Sequence, residues 1–257
     1  GAGSDAAQGG QIDLADGFNF VNGTADPNDD NGHGTHVAGI ITADGSASAR
    51  SKGVAPAAGV IVGKVLDAQG GGFFSDVTDA IYWAVDGPDR TFGTPDDFGA
   101  DAINLSLGTA RPYTYSGFCD SVLPDLTAAI RYAVEHGVNV VVAAGNSGRA
   151  GVSIPGCISH ATTIGAVSSS DRIASFSGRG GGVDLAAPGV NIYSSWLGVS
   201  YATISGTSMA TPAVSGAVLL MKAARPALTP AQVESNLFAT ALDLGRSGKD
   251  SIYGWGR

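Results

Sequence analysis

The sequence predicts one α/β domain of three layers (αβα), in which helices cover both faces of a mainly parallel central sheet. Apolar runs alternate with helix patterns along the 257 residues, and this alternation is typical of parallel sheets. The apolar runs are continuous, as expected for strands that are buried on both faces. Glycine supplies 39 residues and charged residues only 14% of the chain, which argues against helical bundles and disordered tails. Because there is no internal repeat or linker-like stretch, residues 1–257 are predicted to form a single domain.

Continuous apolar runs bounded by glycine or polar residues predict the strands. These runs occupy residues 60–65, 102–107, 138–144, 161–167 and 182–187. Residues 1–32 are polar, rich in Gly and Asp, and show no clear strand.

Helical periodicity predicts five helices between and after these strands. They cover residues 34–42, 75–85, 123–135, 208–224 and 230–242. His136 and Gly137 close the third helix, and Thr229 is placed to cap the fifth. In parallel sheets, functional residues gather at the carboxyl ends of the strands. We therefore look for functional residues in the segments that follow the predicted strands.

The charge pattern excludes several classes of partner. The chain has 21 Asp but only two Glu, and its net charge is −9. No window is rich in Lys or Arg, which disfavours nucleic acid and anionic membrane surfaces. No run approaches the 18 apolar residues that a membrane span requires. The chain begins at Gly1 without a visible signal peptide, which indicates a processed, trimmed or partial chain.

One segment with catalytic potential surrounds His33, in Asn-Gly-His-Gly-Thr-His-Val-Ala-Gly at residues 31–39. Flanking glycines allow a close backbone approach, and imidazole is the usual general base near neutral pH. His36 follows three residues later, so a metal pair is an alternative. Zinc helices, however, space their histidines four apart around a Glu, and this segment has none.

Two further segments carry polar groups at positions that favour anion stabilisation. Ser208 stands in Gly-Thr-Ser-Met-Ala-Thr-Pro at the start of the predicted helix 208–224, where free N–H groups can stabilise an oxyanion. Asn146 directly follows the apolar strand 138–144, where an amide can donate to developing negative charge. Taken separately, the serine is more commonly a helix cap and the asparagine a turn residue.

Together, these three segments resemble the motifs of the subtilisin-like serine proteases, the subtilase superfamily or peptidase family S8. Gly-His-Gly-Thr-His-Val-Ala-Gly resembles the histidine motif of that family, Gly-Thr-Ser-Met-Ala-Thr-Pro its serine motif and Ala-Ala-Gly-Asn its asparagine motif. The last five residues, Tyr-Gly-Trp-Gly-Arg, are similar to its closing segment. The motifs follow the family order along nearly the whole chain.

The resemblance implies a serine endopeptidase of subtilisin-like fold, with no cofactor for catalysis. Ser208 would be the nucleophile, His33 the general base, and the Asn146 amide with the Ser208 N–H the oxyanion donors. The remaining implied site residues bind the substrate. Ser106, Leu107 and Gly108 would pair with its backbone, Ala143, Ala144 and Gly145 would complete the walls of the S1 pocket, and Ser153 would lie near its base. We expect a secreted monomer acting on protein or peptide substrates.

The sequence departs from the family at the acid that orients the histidine. In the family, this acid closes an apolar strand in Asp-Thr/Ser-Gly upstream of the histidine, and no such motif is present here. We expect the acid and its inner strand to lie before Gly1. Asp5 or another acid is the alternative, while Asp13 is expected in a structural turn. The segment that usually follows the closing motif is also absent, so both ends are expected to be trimmed. Loss of the acid would leave this chain nearly inactive.

The resemblance also suggests a calcium site and a disulfide. Asn19, Asn22, Thr24, Asp26 and Asn28 have an oxygen-rich spacing similar to calcium segments of some subtilases, although neutral amides should lower the affinity. The loop 86–97 is a second oxygen-rich candidate. Cys119 and Cys157 fit neither a redox nor a zinc motif and on their own are either buried thiols or one disulfide. Their surroundings are similar to a cysteine pair of secreted subtilases, which implies the disulfide.

Two functional alternatives to the endopeptidase follow from the same residues. A non-catalytic module with this fold could bind peptides along residues 106–108. A generic α/β hydrolase is disfavoured because the chain has no Gly-x-Ser-x-Gly elbow.

Overall fold

The computed structural model describes residues 12–45, 51–198 and 200–257. These residues divide into two compact units. One unit extends to Ala100 and includes Tyr193–Thr203, and the other comprises Asp101–Ile192 and Ile204–Arg257. The single peptidase domain expected from the sequence stays a prediction. Within the described ranges, no helix has the length and apolar character needed to cross a membrane.

The secondary structure alternates largely as the sequence predicts. The described strands are β1 (Ile12–Asn19), β2 (Val60–Lys64), β3 (Ala102–Leu105), β4 (Thr114–Tyr115), β5 (Asn139–Ala143), β6 (Val152–Ser153), β7 (Thr162–Val167), β8 (Leu185–Pro188), β9 (Ile192–Trp196) and β10 (Ser200–Ile204). The described helices are α1 (His33–Thr42), α2 (Phe74–Asp86), α3 (Pro124–Glu135), α4 (Thr207–Ala224) and α5 (Pro230–Thr240). All five predicted helices and all five predicted strands are present, with boundaries shifted by up to three residues.

The first unit contains a strand that the sequence prediction missed. β1 pairs in parallel with β2, although no strand was expected before residue 33. The pairing register shifts between Asp13 and Phe18. Such an irregularity breaks the two-residue period by which strands are recognised. Asp13, expected in a turn, instead lies within β1 opposite Ile61.

The second unit is built on a four-stranded parallel sheet in the order β3-β5-β7-β8. Every residue of β5 and β7 is buried. α3 packs against β5, and α4 packs against all four strands. The core beneath α4 is formed by small and branched side chains such as Val141, Ile164 and Val214. This close packing holds the start of α4 near the carboxyl ends of β3 and β5.

Two small sheets were not predicted. β4 and β6 pair over only two residues each, and β9 pairs with β10 across a short connection. Strands this short, or interrupted by serine, carry too little apolar periodicity to be recognised from sequence.

The disulfide implied by the family resemblance is present. Cys119 and Cys157 are bonded, with their Cα atoms 5.3 Å apart. Both residues are buried, and the Cys119 N–H donates to the Cys157 carbonyl at 2.9 Å. The bridge therefore fixes the segment before α3 to the segment after β6.

A pair of half-buried carboxylates, Asp184 and Glu234, lies near the beginning of β7 and β8. The Glu234 carboxylate accepts a hydrogen bond from the Thr162 hydroxyl at 2.6 Å, and Asp184 accepts from Lys249 and from the Thr163 N–H. Burial raises the pKa of Glu234, and the nearby Asp184 charge adds to this against the opposing effects of Thr162 and Lys249. Burial also raises the pKa of Asp184.

Replacing Glu234 by Gln should stabilise the fold near neutral pH by roughly 0.5–1 kcal/mol, because Gln keeps the acceptor for Thr162 and removes the ionisation cost. A carboxyl whose pKa is raised in the folded state binds more protons there than in the unfolded chain. The free energy of unfolding therefore falls as pH rises through that window, and E234Q should lose this fall.

Urea unfolding from pH 4 to pH 8 measures the effect. E135Q is the control, since Glu135 is exposed and paired with Arg131 on the surface. An E234Q protein less stable than the parent at pH 7 would contradict the assignment.

Candidate active site

His33 is the first residue of α1, and a carboxylate four residues before it, that of Asp29, holds the first turn of the helix. One oxygen of Asp29 accepts the N–H groups of Asn31 at 3.0 Å and Gly32 at 2.9 Å. Its other oxygen accepts the Thr35 N–H at 2.7 Å and the Thr35 hydroxyl at 2.6 Å. The residue preceding the helix, Gly32, has no capping side chain, so Asp29 takes over that role.

The electrostatic environment of His33 favours a neutral imidazole. Burial lowers the pKa of His33, and the Asp29 charge partly opposes that effect. An imidazole that is neutral at the pH of catalysis can accept a proton. The described geometry therefore suits His33 to act as a general base.

His36 has a different environment from His33. It is fully buried, and its Nε2 lies 3.2 Å from the carbonyl oxygen of Ala202. Gly32 packs so closely on Trp196 that a β-carbon there would lie 2.6 Å from the indole. Among the described residues, no group of three or more His, Cys, Asp or Glu side chains is arranged to hold a metal ion. These contacts give His36 a structural role.

Ser208 lies in the first turn of α4 and is tied to the end of β3. Its hydroxyl donates to the Ser106 carbonyl at 3.3 Å, and the Ser106 hydroxyl donates to the Ser208 carbonyl at 2.9 Å. The ladder between β3 and β5 ends at Leu105. Residues 106–108 therefore run past the end of the ladder beside the serine, as a substrate-pairing segment requires.

Asn146 is oriented by Thr207. The Asn146 carbonyl oxygen accepts the Thr207 N–H at 3.0 Å and the Thr207 hydroxyl at 3.1 Å. The same hydroxyl accepts the Gly145 N–H at 3.1 Å. Because both Thr207 groups donate to Asn146, its amide oxygen is assigned to that side, and its NH₂ group is directed elsewhere.

The NH₂ group of Asn146 lies beside the first turn of α4. A β-carbon placed on Gly206 would lie 3.5 Å from Asn146 Nδ2 and 3.7 Å from the Ser208 nitrogen. Two hydrogen-bond donors thus approach one region next to the serine, and glycine leaves that region open. A pair of fixed donors beside a nucleophile can stabilise an oxyanion.

Ser153 lies between the two predicted pocket walls. β-Carbons on Gly108 and Gly145 would come within 2.4 Å and 2.3 Å of its hydroxyl oxygen. Ser153 is fully buried, and its hydroxyl has no hydrogen-bond partner among the described residues. Ala143 and Ala144 are also buried. The structure thus brings Gly108 and Gly145, one from each predicted wall, together with Ser153.

The calcium candidates lie at the end of β1 and in the turn after it. The Asn19 amide accepts the Asn22 N–H at 3.2 Å and donates to the Asp26 carbonyl at 3.0 Å. Asp26 in turn accepts the Asn28 N–H at 3.2 Å, while Thr24 pairs with Asn19 through the backbone. These groups bond to one another, and calcium here stays a prediction.

Sequence reasoning missed Asp29 and Thr207, which position the two motif residues His33 and Asn146. Their signal was present but ambiguous, since an Asp before a helix and a Thr at its start are common caps. Asp5, an alternative for the orienting acid, lies outside the described residues.

The chain matches the model of the subtilase family over residues 6–256. It is 38% identical to Subtilisin Savinase from Lederbergia lenta over 95% of this chain and 82% of that protein. A cold-adapted subtilisin-like serine proteinase superposes with a TM-score of 0.79 at 34% identity, covering 96% of this chain and 81% of the other. Sphericase gives 0.77 at 35% identity, covering 93% and 82%. These similarities confirm the predicted three-layer α/β fold class. The chain therefore belongs to the subtilase family, a family of serine endopeptidases.

Proposed function

We propose that this chain hydrolyses peptide bonds through an acyl-enzyme, with Ser208 as nucleophile, His33 as general base, and Asn146 with the Ser208 N–H as oxyanion donors. The observation that carries the proposal is the convergence of Asn146 Nδ2 and the Ser208 nitrogen beside Gly206. Such a donor pair can stabilise the oxyanion that forms in acyl transfer.

In the proposed reaction, the Ser208 oxygen attacks the scissile carbonyl carbon while its proton passes to the His33 imidazole. The carbonyl oxygen becomes an oxyanion that accepts hydrogen bonds from Asn146 and the Ser208 N–H. His33 then gives the proton to the leaving amine, and the C–N bond breaks to form an ester on Ser208. Water repeats the sequence, with His33 accepting its proton and returning one to Ser208. The orienting acid is proposed to precede Gly1, or to be Asp5.

Asn146→Asp tests the oxyanion assignment, because aspartate keeps an oxygen for Thr207 and loses the NH₂ donor. We expect kcat for a peptide substrate to fall at least 10²–10³-fold with little change in KM, the loss known for the oxyanion asparagine of subtilisin itself. A fluorophosphonate should label the parent protein and leave Ser208→Ala unlabelled.

Equal kcat in N146D and the parent would contradict the assignment of Asn146. A protein that carries the strand and acid expected upstream of Gly1, binds peptide substrate and is neither labelled nor active would support the non-catalytic module instead.

The specificity proposal concerns the side chain that precedes the scissile bond, P1. Small walls at residues 106–108 and 143–145 favour a roomy apolar pocket with broad specificity. At the proposed base, the Ser153 hydroxyl is buried without a described partner. A polar P1 side chain that reaches this hydroxyl gives it the hydrogen bond that it lacks in the free protein, whereas an apolar side chain does not.

Ser153→Ala should therefore raise kcat/KM for substrates with Leu or Phe at P1 by about 2–10-fold relative to Ser at P1. A matched P1 series of peptide anilides measures the ratio. Ser168→Ala is the control, since the Ser168 hydroxyl contacts Ser170 in an exposed turn. An unchanged P1 ranking in S153A would remove Ser153 from the pocket.

The cellular location is proposed from the disulfide, and the calcium content from the family resemblance. Structural disulfides persist in oxidising compartments, and the Cys119–Cys157 bridge supports secretion. A monomeric state and calcium at the segment after β1 are proposed from the family resemblance.

A further inference from the structure

We infer that Asp29 is a positioning residue for the general base: it fixes the helix turn that carries His33 and supplies a permanent negative charge beside the imidazole. The inference rests on the proposed role of His33. It adds a carboxylate that is distinct from the orienting acid expected upstream of the histidine motif.

The geometry of Asp29 fixes both the position and the charge of its carboxylate. Four hydrogen bonds from three residues, at 2.6–3.0 Å, use both of its oxygens. Burial by itself would raise its pKa, but the bonds from Thr35, Gly32 and Asn31 outweigh burial and hold the pKa below its usual range. Asp29 is therefore ionised throughout the pH range in which an imidazole titrates.

The same carboxylate lies against the backbone of the histidine turn. A β-carbon on Gly34 would lie 3.6 Å from Asp29 Oδ2, so the charge lies beside the residue that follows His33. A negative charge at the N-terminal end of a helix is favourable because the helix dipole is positive there. The charge also favours the protonated imidazole, which is the form that develops as Ser208 loses its proton.

The neighbouring titratable groups are engaged elsewhere. Asp30, the next residue, pairs with Lys64 of β2. His36, on the same helix, faces the carbonyl of Ala202. Of the charged groups in the described ranges, Asp29 is the one whose field acts on His33.

Asp29→Asn tests the inference, because asparagine keeps one acceptor oxygen and removes the charge. We expect the pKa of His33 to fall and the acid limb of kcat/KM to move to lower pH. At the pH optimum, kcat/KM should drop on the order of tenfold, mainly through kcat. The pKa is measured by NMR titration of the His33 imidazole in a Ser208→Ala background, where the four histidines of the chain give few resonances.

Two variants separate charge from structure. Thr35→Val removes a hydrogen bond to Asp29 and keeps the charge, so it should lower stability and leave the His33 pKa unchanged. Asp30→Asn removes a neighbouring charge that faces Lys64 and should leave both the pKa and the activity unchanged.

A folded D29N protein with an unchanged His33 pKa would overturn the inference, as would equal pKa shifts in D29N and T35V. Because the NMR titration needs no activity, it is independent of the proposed function. That function fails separately if His33→Ala retains full peptide hydrolysis.

Discussion

The hydroxyl of Thr207 joins the two parts of the second unit on which the proposed chemistry depends. It accepts the Gly145 N–H at the end of β5 and donates to the Asn146 carbonyl oxygen in the segment after it. A single side chain thus links the carboxyl end of a buried strand to the first turn of α4. The orientation of the Asn146 amide depends on this link, and Ser208 follows Thr207 directly in the same turn.

The helices of this chain are capped at their N-terminal ends in two different ways. α5 is closed by its own residues: Thr229 and Gln232 satisfy each other's backbone N–H groups in a capping box. α1 and α4 are each preceded by glycine and have no side-chain cap at that position. First-turn N–H groups have no acceptor within a helix. In α1 the Thr35 N–H donates to Asp29 and the His33 N–H to the Asn31 side chain, while in α4 we propose that the Ser208 N–H donates to a substrate oxyanion.

The fold class could be predicted because buried strands such as β5 are continuous apolar runs and helices such as α2 and α3 bury one apolar face. β1 was missed because its pairing register shifts between Asp13 and Phe18. The motif residues His33, Asn146 and Ser208 stand out by their neighbours along the chain. Thr207, which orients Asn146, does not stand out in this way, because its contacts with Asn146 span 61 residues and no local pattern encodes such a separation.

If Thr207 holds the Asn146 amide in the orientation that the transition state needs, losing the Thr207 hydroxyl must weaken the binding of a transition-state mimic. The affinity of Thr207→Val for a peptide aldehyde measures this effect. The aldehyde forms a tetrahedral adduct whose oxygen occupies the oxyanion site, whereas a substrate in its ground state does not. Thr211→Val is the matched control, since the Thr211 hydroxyl bonds only to the Thr207 carbonyl among the described contacts. We expect T207V to bind the aldehyde more weakly and to have a lower kcat, both by a factor of about ten, with KM unchanged. T211V should keep the aldehyde affinity and the kcat of the parent. Aldehyde affinity in T207V equal to that of the parent would contradict this role of Thr207.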